Sequence, residues 1–122
     1  MRIVVTRPHS ESERTAATLR ARGHDVLVAP LMQVEPVKAE LSGGWGGVTI
    51  TSANAPAAAA DNPQCQTLLR LPLFAVGQRS ATAARQAGFA DITTAGGDVR
   101  DLVRLIATRR ADAKAPLLYL AG

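Results

Sequence analysis

The stretch Phe74-Ala75-Val76-Gly77-Gln78-Arg79-Ser80-Ala81-Thr82 decides how this chain is read. An apolar run stops at Val76, Gly77 turns the backbone, and small residues open a helix-like segment. The same change of character recurs at Ile50-Thr51-Ser52-Ala53-Asn54 and at Thr93-Thr94-Ala95-Gly96-Gly97-Asp98. Successive strand-to-helix junctions of this kind mark an open α/β sheet and line the crevice at the carboxyl ends of its strands. Backbone N–H groups at the helix N-termini favour an anionic ligand there.

The flanking sequence continues the alternation. Arg2 to Thr6 reads as a buried parallel strand. Ser10 opens a helix, with Glu13 completing a capping box, Ala16 and Leu19 on the apolar face, and Gly23 as the stop. Asp25 to Val28 is a second strand, ended by Pro30. This βαβ unit should have a right-handed crossover. Gln33 to Gly47, with Pro36 and four glycines, reads as a connector and hinge, with Trp45 packing at the start of the next lobe. Strands follow at Gly47–Thr51, Leu73–Val76, Asp91–Thr94 and Leu117–Leu120. Helices are predicted over Asn54–Ala60, with Pro56 in the first turn, and over Arg79–Ala87, stopped by Gly88. Another is capped by Asp98 and runs to about Arg109, with Val99, Leu102, Val103 and Ile106 as its apolar stripe. The predicted fold class is α/β, with parallel sheets covered by helices on both faces.

At 122 residues the chain can bury a real core but is short for two complete domains. A net charge of +4, carried mostly by Arg, suits acidic partners. Aromatics make up only 3%, which argues against nucleic-acid binding by base stacking. Cys65 stands alone in a loop-like stretch without a local His or acid, so it reads as a structural thiol in a reducing cytoplasm. No apolar run approaches the roughly 20 residues that span a bilayer. The N-terminus opens directly on a strand, without a secretion signal. A cytoplasmic protein with no membrane partner is expected.

The first junction, Thr6-Arg7-Pro8-His9-Ser10, lacks the glycine pattern of a dinucleotide site, and no Walker sequence occurs, so no nucleotide cofactor is expected. Arg7, at a strand's carboxyl end, either holds an anion or lays its stem over the next loop. His9 and His24 have no partners at metal-ligand spacing, so no metal is expected, and His24 reads as a solvated turn residue. No nucleophile-elbow pattern is present. Thr51, Ser52 and Asn54 can donate into the crevice or cap a helix, and Ser80 and Thr82 pose the same choice. Asp98 reads as a cap whose charge repels anions, leaving Gly96 and Gly97 to approach the ligand.

Taken in order, a set of segments resembles the uroporphyrinogen-III synthase family. They are Val4-Val5-Thr6-Arg7-Pro8, Gly23-His24 with Pro30-Leu31, and Thr51-Ser52-Ala53-Asn54. They continue with Ala75-Val76-Gly77 and Ala81-Thr82-Ala83, Gly88-Phe89, Ala95-Gly96-Gly97-Asp98 and Leu117-Leu118-Tyr119-Leu120-Ala121-Gly122. The resemblance implies two α/β lobes, here incomplete: residues 1–34 as the opening βαβ piece of lobe 1, and residues 35–122 as most of lobe 2. It implies a cofactor-free lyase, a hydro-lyase of porphyrin, tetrapyrrole and heme biosynthesis. That enzyme closes hydroxymethylbilane to uroporphyrinogen III with inversion of the fourth pyrrole ring and loss of water. By the same resemblance Ser80 holds the place of a hydroxyl facing the substrate, as the candidate catalytic residue. Arg7, Thr51, Ser52, Asn54, Gly77, Gly96 and Gly97 join it as substrate-binding candidates. The family's implicated tyrosine lies beyond residue 122, and Tyr119 reads as core. Family chains are about twice as long, so the chain taken alone is expected to be an inactive fragment whose incomplete lobe 1 favours self-association. The alternative is a non-catalytic α/β module holding a phosphate or other small anion. A receiver-like version would want clustered acids at strand ends, where this chain has Thr6, Thr51, Val76 and Thr94.

Overall fold

The structure is a computed structural model that describes residues 1–110 and 113–122. The chain divides into two compact units, Met1–Glu35 and Pro36–Gly122.

The first unit holds β1 (Arg2–Val5), α1 (His9–Ala21) and β2 (Asp25–Val28). The strands pair in parallel, Val5 opposite Val28. Strand alternation sends Ile3, Val5, Val26 and Val28 against Ala16 and Leu19 of α1. Helix α1 begins earlier than its sequence suggests. Pro8 is the N-cap, and its carbonyl accepts from the N–H groups of Glu11 and Ser12. Ser10 therefore lies inside the helix and the expected capping box does not form. The proline, at φ −50° and ψ 148°, ends the extended backbone by itself. The junction is tied by Ser12, wholly buried, whose hydroxyl donates to the Arg7 carbonyl at 2.5 Å. At the other end Gly23 takes φ +86°, its N–H reaches the Arg20 carbonyl, and that of His24 reaches Leu19. These paired bonds satisfy the last carbonyls of the helix. They leave His24 half-buried rather than solvated.

The second unit is a four-stranded parallel sheet in the order β5-β4-β3-β6. Its strands are β3 (Gly47–Ile50), β4 (Leu73–Ala75), β5 (Ile92–Thr94) and β6 (Leu117–Leu120). Between them lie α2 (Asn54–Ala60), α3 (Cys65–Leu68), α4 (Gln78–Gln86) and α5 (Val99–Arg109). The chain moves outward from β3 through β4 to β5, then returns to lay β6 on the other side of β3. That reversal makes the β3/β6 boundary the topological switch point of the sheet. Val48, Ile50, Leu73, Ala75 and Leu120 face α2, α3 and α4 in one core cluster. Phe74 and Leu102 are buried outside that cluster, and α5 packs on β4. The sheet thus carries helices on both faces.

Two elements depart from the sequence reading. A short helix, α3, occupies the stretch read as loop, because turning there buries Cys65 and Leu68. In α5 only Leu102 of the expected stripe is fully buried, while Val99 and Val103 are exposed. Leu105 and Ile106 are half-buried. At about 100° per residue, Val99 and Val103 stand about 60° and 100° round the helix from Leu102, on the side away from Leu105. The contact face is therefore rotated toward Leu105.

The connector is fixed over its second half. Asn62 donates to the Ala39 carbonyl, Gln64 accepts from the Leu41 N–H, and the Gln64 amide donates to Glu40. Leu41 is buried, and the Trp45 indole donates to its carbonyl at 2.9 Å. The connector reading of Gln33–Gly47 agrees with the unit boundary at Glu35/Pro36, but these bonds anchor Ala39–Trp45 to the second unit and leave that part no hinge. Hydrogen bonds from the Ser42 side chain, the Ser42 backbone and Gln64 hold the Glu40 carboxyl below the usual glutamate range. A depressed folded pKa stabilises the clamp above the unfolded value, and that contribution is lost as pH falls through the folded one. In an NMR titration the Ser42 amide should move at a pH below the ordinary glutamate midpoint. Glu40→Gln should abolish that step. A midpoint at the ordinary value would show that the clamp does not hold in solution.

Candidate functional site at the carboxyl edge

Because every pair in the second sheet is parallel, Ile50, Ala75 and Thr94 stand in one row and the chain leaves all three strands on the same edge. The departing segments are stitched together. Val76 N–H donates to Ile50, Ala95 N–H to Ala75, and Gly97 N–H to the Val76 carbonyl at 2.8 Å. Thr51, Ser52, Asn54, Gly77, Gly96 and Gly97 are therefore gathered at one edge, with Ser80 in the first turn of α4. Ser80 is only 4% exposed. Arg7 belongs to the other unit, where its half-exposed guanidinium pairs with Glu11 one helical turn on.

The three junctions differ in electrostatics. At the first, Ser52 Oγ accepts from the Asn54 N–H at 3.1 Å, and Thr51 Oγ1 lies 2.8 Å from the Tyr119 phenol. Gly122 lies so close that an added Cβ would overlap the Ser52 side chain. At the second, Gly77 is extended at φ −161° and stands at the N-cap position of α4 with no side chain to accept from its first turn. The first turn of α4 holds no acidic residue, and Arg79 there is exposed. The N–H groups of this turn have no acceptor further back in the helix. An added Cβ at Gly77 would find only the Gly97 Cα, at 3.5 Å.

The third junction is acidic. Asp98 caps α5 by accepting the Asp101 N–H at 2.9 Å, as read from the sequence. The Asp101 carboxylate lies against Gly96, where a Cβ would collide with it, and pairs with Arg104. An anion brought to Gly96 would meet that carboxylate. Of the two longer helices that start at this edge, α4 and α5, it is therefore α4 that presents the open, positive end.

Tyr119 corrects the sequence reading most directly. It is 54% exposed, not core. The signal was present in Leu117-Leu118-Tyr119-Leu120, where the period of two sets Tyr119 opposite Leu118 and Leu120. Cys65 is buried, and burial pushes its thiol pKa up, which leaves it an inert core residue. Among the described residues no group of three His, Cys, Asp or Glu gathers to hold a metal, and no helix is long and apolar enough to cross a membrane.

An open parallel sheet whose order reverses between β3 and β6, with its junctions stitched at the carboxyl edge, defines an open-sheet α/β protein, a class whose ligand crevices form at that edge. The sequence model of uroporphyrinogen-III synthase HemD matches residues 13–122. The chain belongs to that family, and with it to uroporphyrinogen-III synthase-like chemistry in porphyrin biosynthesis. A search of the curated proteins finds no match. Arg7 precedes the matched residues.

Proposed function

We propose that this protein acts as a uroporphyrinogen-III synthase. It closes hydroxymethylbilane to uroporphyrinogen III, inverting the fourth ring and releasing water. The observation that carries the reading is the uncapped, acid-free N-terminus of α4 behind Gly77, at the carboxyl edge of a sheet of this family. The substrate bears eight carboxylates, and backbone N–H groups at a helix end bind such groups.

An electron-rich pyrrole expels its hydroxyl with modest acid help. Catalysis then rests on holding the two chain ends in the geometry of ring closure through a spirocyclic intermediate. In this reading the α4 N–H groups and Gly77 hold a carboxylate. Thr51, Ser52 and Asn54 supply neutral donors, and Gly97 flanks them. Ser80 offers its hydroxyl from the first turn of α4 near the reacting end. Gly96 stays in the set as backbone lining beside Asp101. Arg7 is a separate carboxylate-binding candidate, available when it leaves Glu11. The unit Met1–Glu35 supplies the opening piece of lobe 1 and Pro36–Gly122 most of lobe 2. The setting is the cytoplasm, which suits the lone thiol.

The test is incubation of the full gene product with hydroxymethylbilane, followed by chromatographic separation of isomers I and III. Isomer III above the spontaneous background is expected. Background levels alone would overturn the assignment.

A further inference from the structure

We propose that Tyr119 is a binding residue of this crevice: its phenol and the Thr51 hydroxyl, held as a pair, receive one carboxylate arm of the tetrapyrrole between β3 and β6. The proposal rests on the tetrapyrrole reading above and adds a residue and a location to it.

Four observations lead here. Strand order puts the pair at the switch point, where crevices form in open α/β sheets. Thr49 lies opposite Tyr119 in the register, and Thr51 follows two residues on, so three hydroxyl side chains share one sheet face. Thr51 and Tyr119 are bonded to each other at 2.8 Å. In such a pair one O–H is consumed internally and the second stays free to donate outward. Thr49 Oγ1 is buried and has no partner among the described residues, an unmet donor beside the pair.

The chemistry of the surroundings selects the ligand. No acidic residue occurs in Gly47–Asn54 or in Leu117–Gly122, so these segments set no fixed negative charge against an anion. The Tyr119 ring, more than half exposed, gives the site an apolar wall. Donor hydroxyls beside an aromatic wall fit a short carboxylate arm on a planar apolar ring. A phosphate would call for the fixed positive charge that neither segment supplies.

The experiment compares Tyr119→Phe, Thr51→Val and the double variant with wild type in the full gene product. It measures KM for hydroxymethylbilane, inhibition by uroporphyrinogen III under reducing conditions, and thermal melting. Each single variant should raise both KM and the inhibition constant roughly tenfold, the loss of one hydrogen bond to a charged group. The double variant should be little worse than either, because the pair acts as a unit. Unchanged KM and inhibition in active variants would overturn the proposal. So would a lowered melting temperature with unchanged KM, which would mean that the bond only ties β3 to β6. Absence of isomer III in the wild type would overturn the tetrapyrrole reading itself, and this proposal with it.

Discussion

Gly77→Ala is expected to fold normally and to lose at least tenfold in kcat/KM for isomer III formation, about 1.4 kcal/mol of transition-state binding. The backbone there is extended, which any residue adopts, so the change brings no conformational strain. The new methyl would meet only the Gly97 Cα at an ordinary contact distance of 3.5 Å. Nothing in the folded protein needs Gly77 to lack a side chain. A ligand oxygen approaching the first-turn N–H groups of α4 does need it, and a methyl at the mouth of that turn would hold the oxygen off. Gly97→Ala is a poorer probe, because its φ of +112° makes any side chain costly whatever the ligand does. Steady-state kinetics beside a melting curve decides the matter. Unchanged kcat/KM in a well-folded Gly77→Ala protein would remove the α4 end from the substrate site.

Much of the fold was legible because its signals are local. Short apolar runs bounded by glycine and proline give the strands β2 and β6 to the residue, and α2 likewise. The glycine stops at Gly23 and Gly88 both work as read. Gly88 takes φ +106°, and the bonds from Gly88 and Phe89 back to Arg85 and Ala84 close α4 as those at Gly23 close α1. What escaped depends on contacts far along the chain. The α3 turn forms because Cys65 and Leu68 find the core, and its one local signal, Asn62 accepting the Gln64 N–H, precedes a helix too short to show a period. The hold on Ala39–Leu41 comes from Asn62 and Gln64, more than twenty residues away, and glycine content alone misreads it as slack. The rotation of α5 is set by where β4 lies, which periodicity cannot know.

For the candidate site the sequence located the edge but not its electrostatics. Three junctions after apolar runs are enough to bring Thr51, Gly77 and Gly97 together, since parallel pairing does the rest. The difference between them turns on where side chains point. Asp101 folds back over Gly96 only once α5 has formed, so the third junction looks open in the sequence and is acidic in the fold. Tyr119 reads as core when the family's implicated tyrosine is placed beyond residue 122, whereas the strand's alternation sends it to the other face.

The largest expected effect on stability is that of Leu73→Ala, about 2–5 kcal/mol. Leu73 is fully buried in β4, between Val48 of β3 and Ile92 of β5, and its N–H donates to the Asp91 carbonyl at 2.8 Å. Its side chain belongs to the cluster shared with Ile50, Leu68 and Phe89, so truncation leaves a cavity between the sheet and the helices that cover it. Paired strands cannot collapse into such a gap without breaking their ladder, so the upper part of the range applies. For a domain near 100 residues each kcal/mol lowers Tm by roughly 4–8 °C. Leu73→Met keeps the volume and should cost less than about 1.5 kcal/mol. Urea denaturation followed by circular dichroism checks both, with equal m values showing that stability alone has changed. A loss below about 1 kcal/mol for Leu73→Ala would mean that β4 is not the central, enclosed strand described. The same variant bears on the site. Leu73 lies three residues before Val76, whose carbonyl holds the Gly97 N–H, so a loosened β4 should separate the second and third junctions. Leu73→Ala should therefore lose isomer III formation at temperatures where it is still folded, while Leu73→Met keeps both stability and turnover.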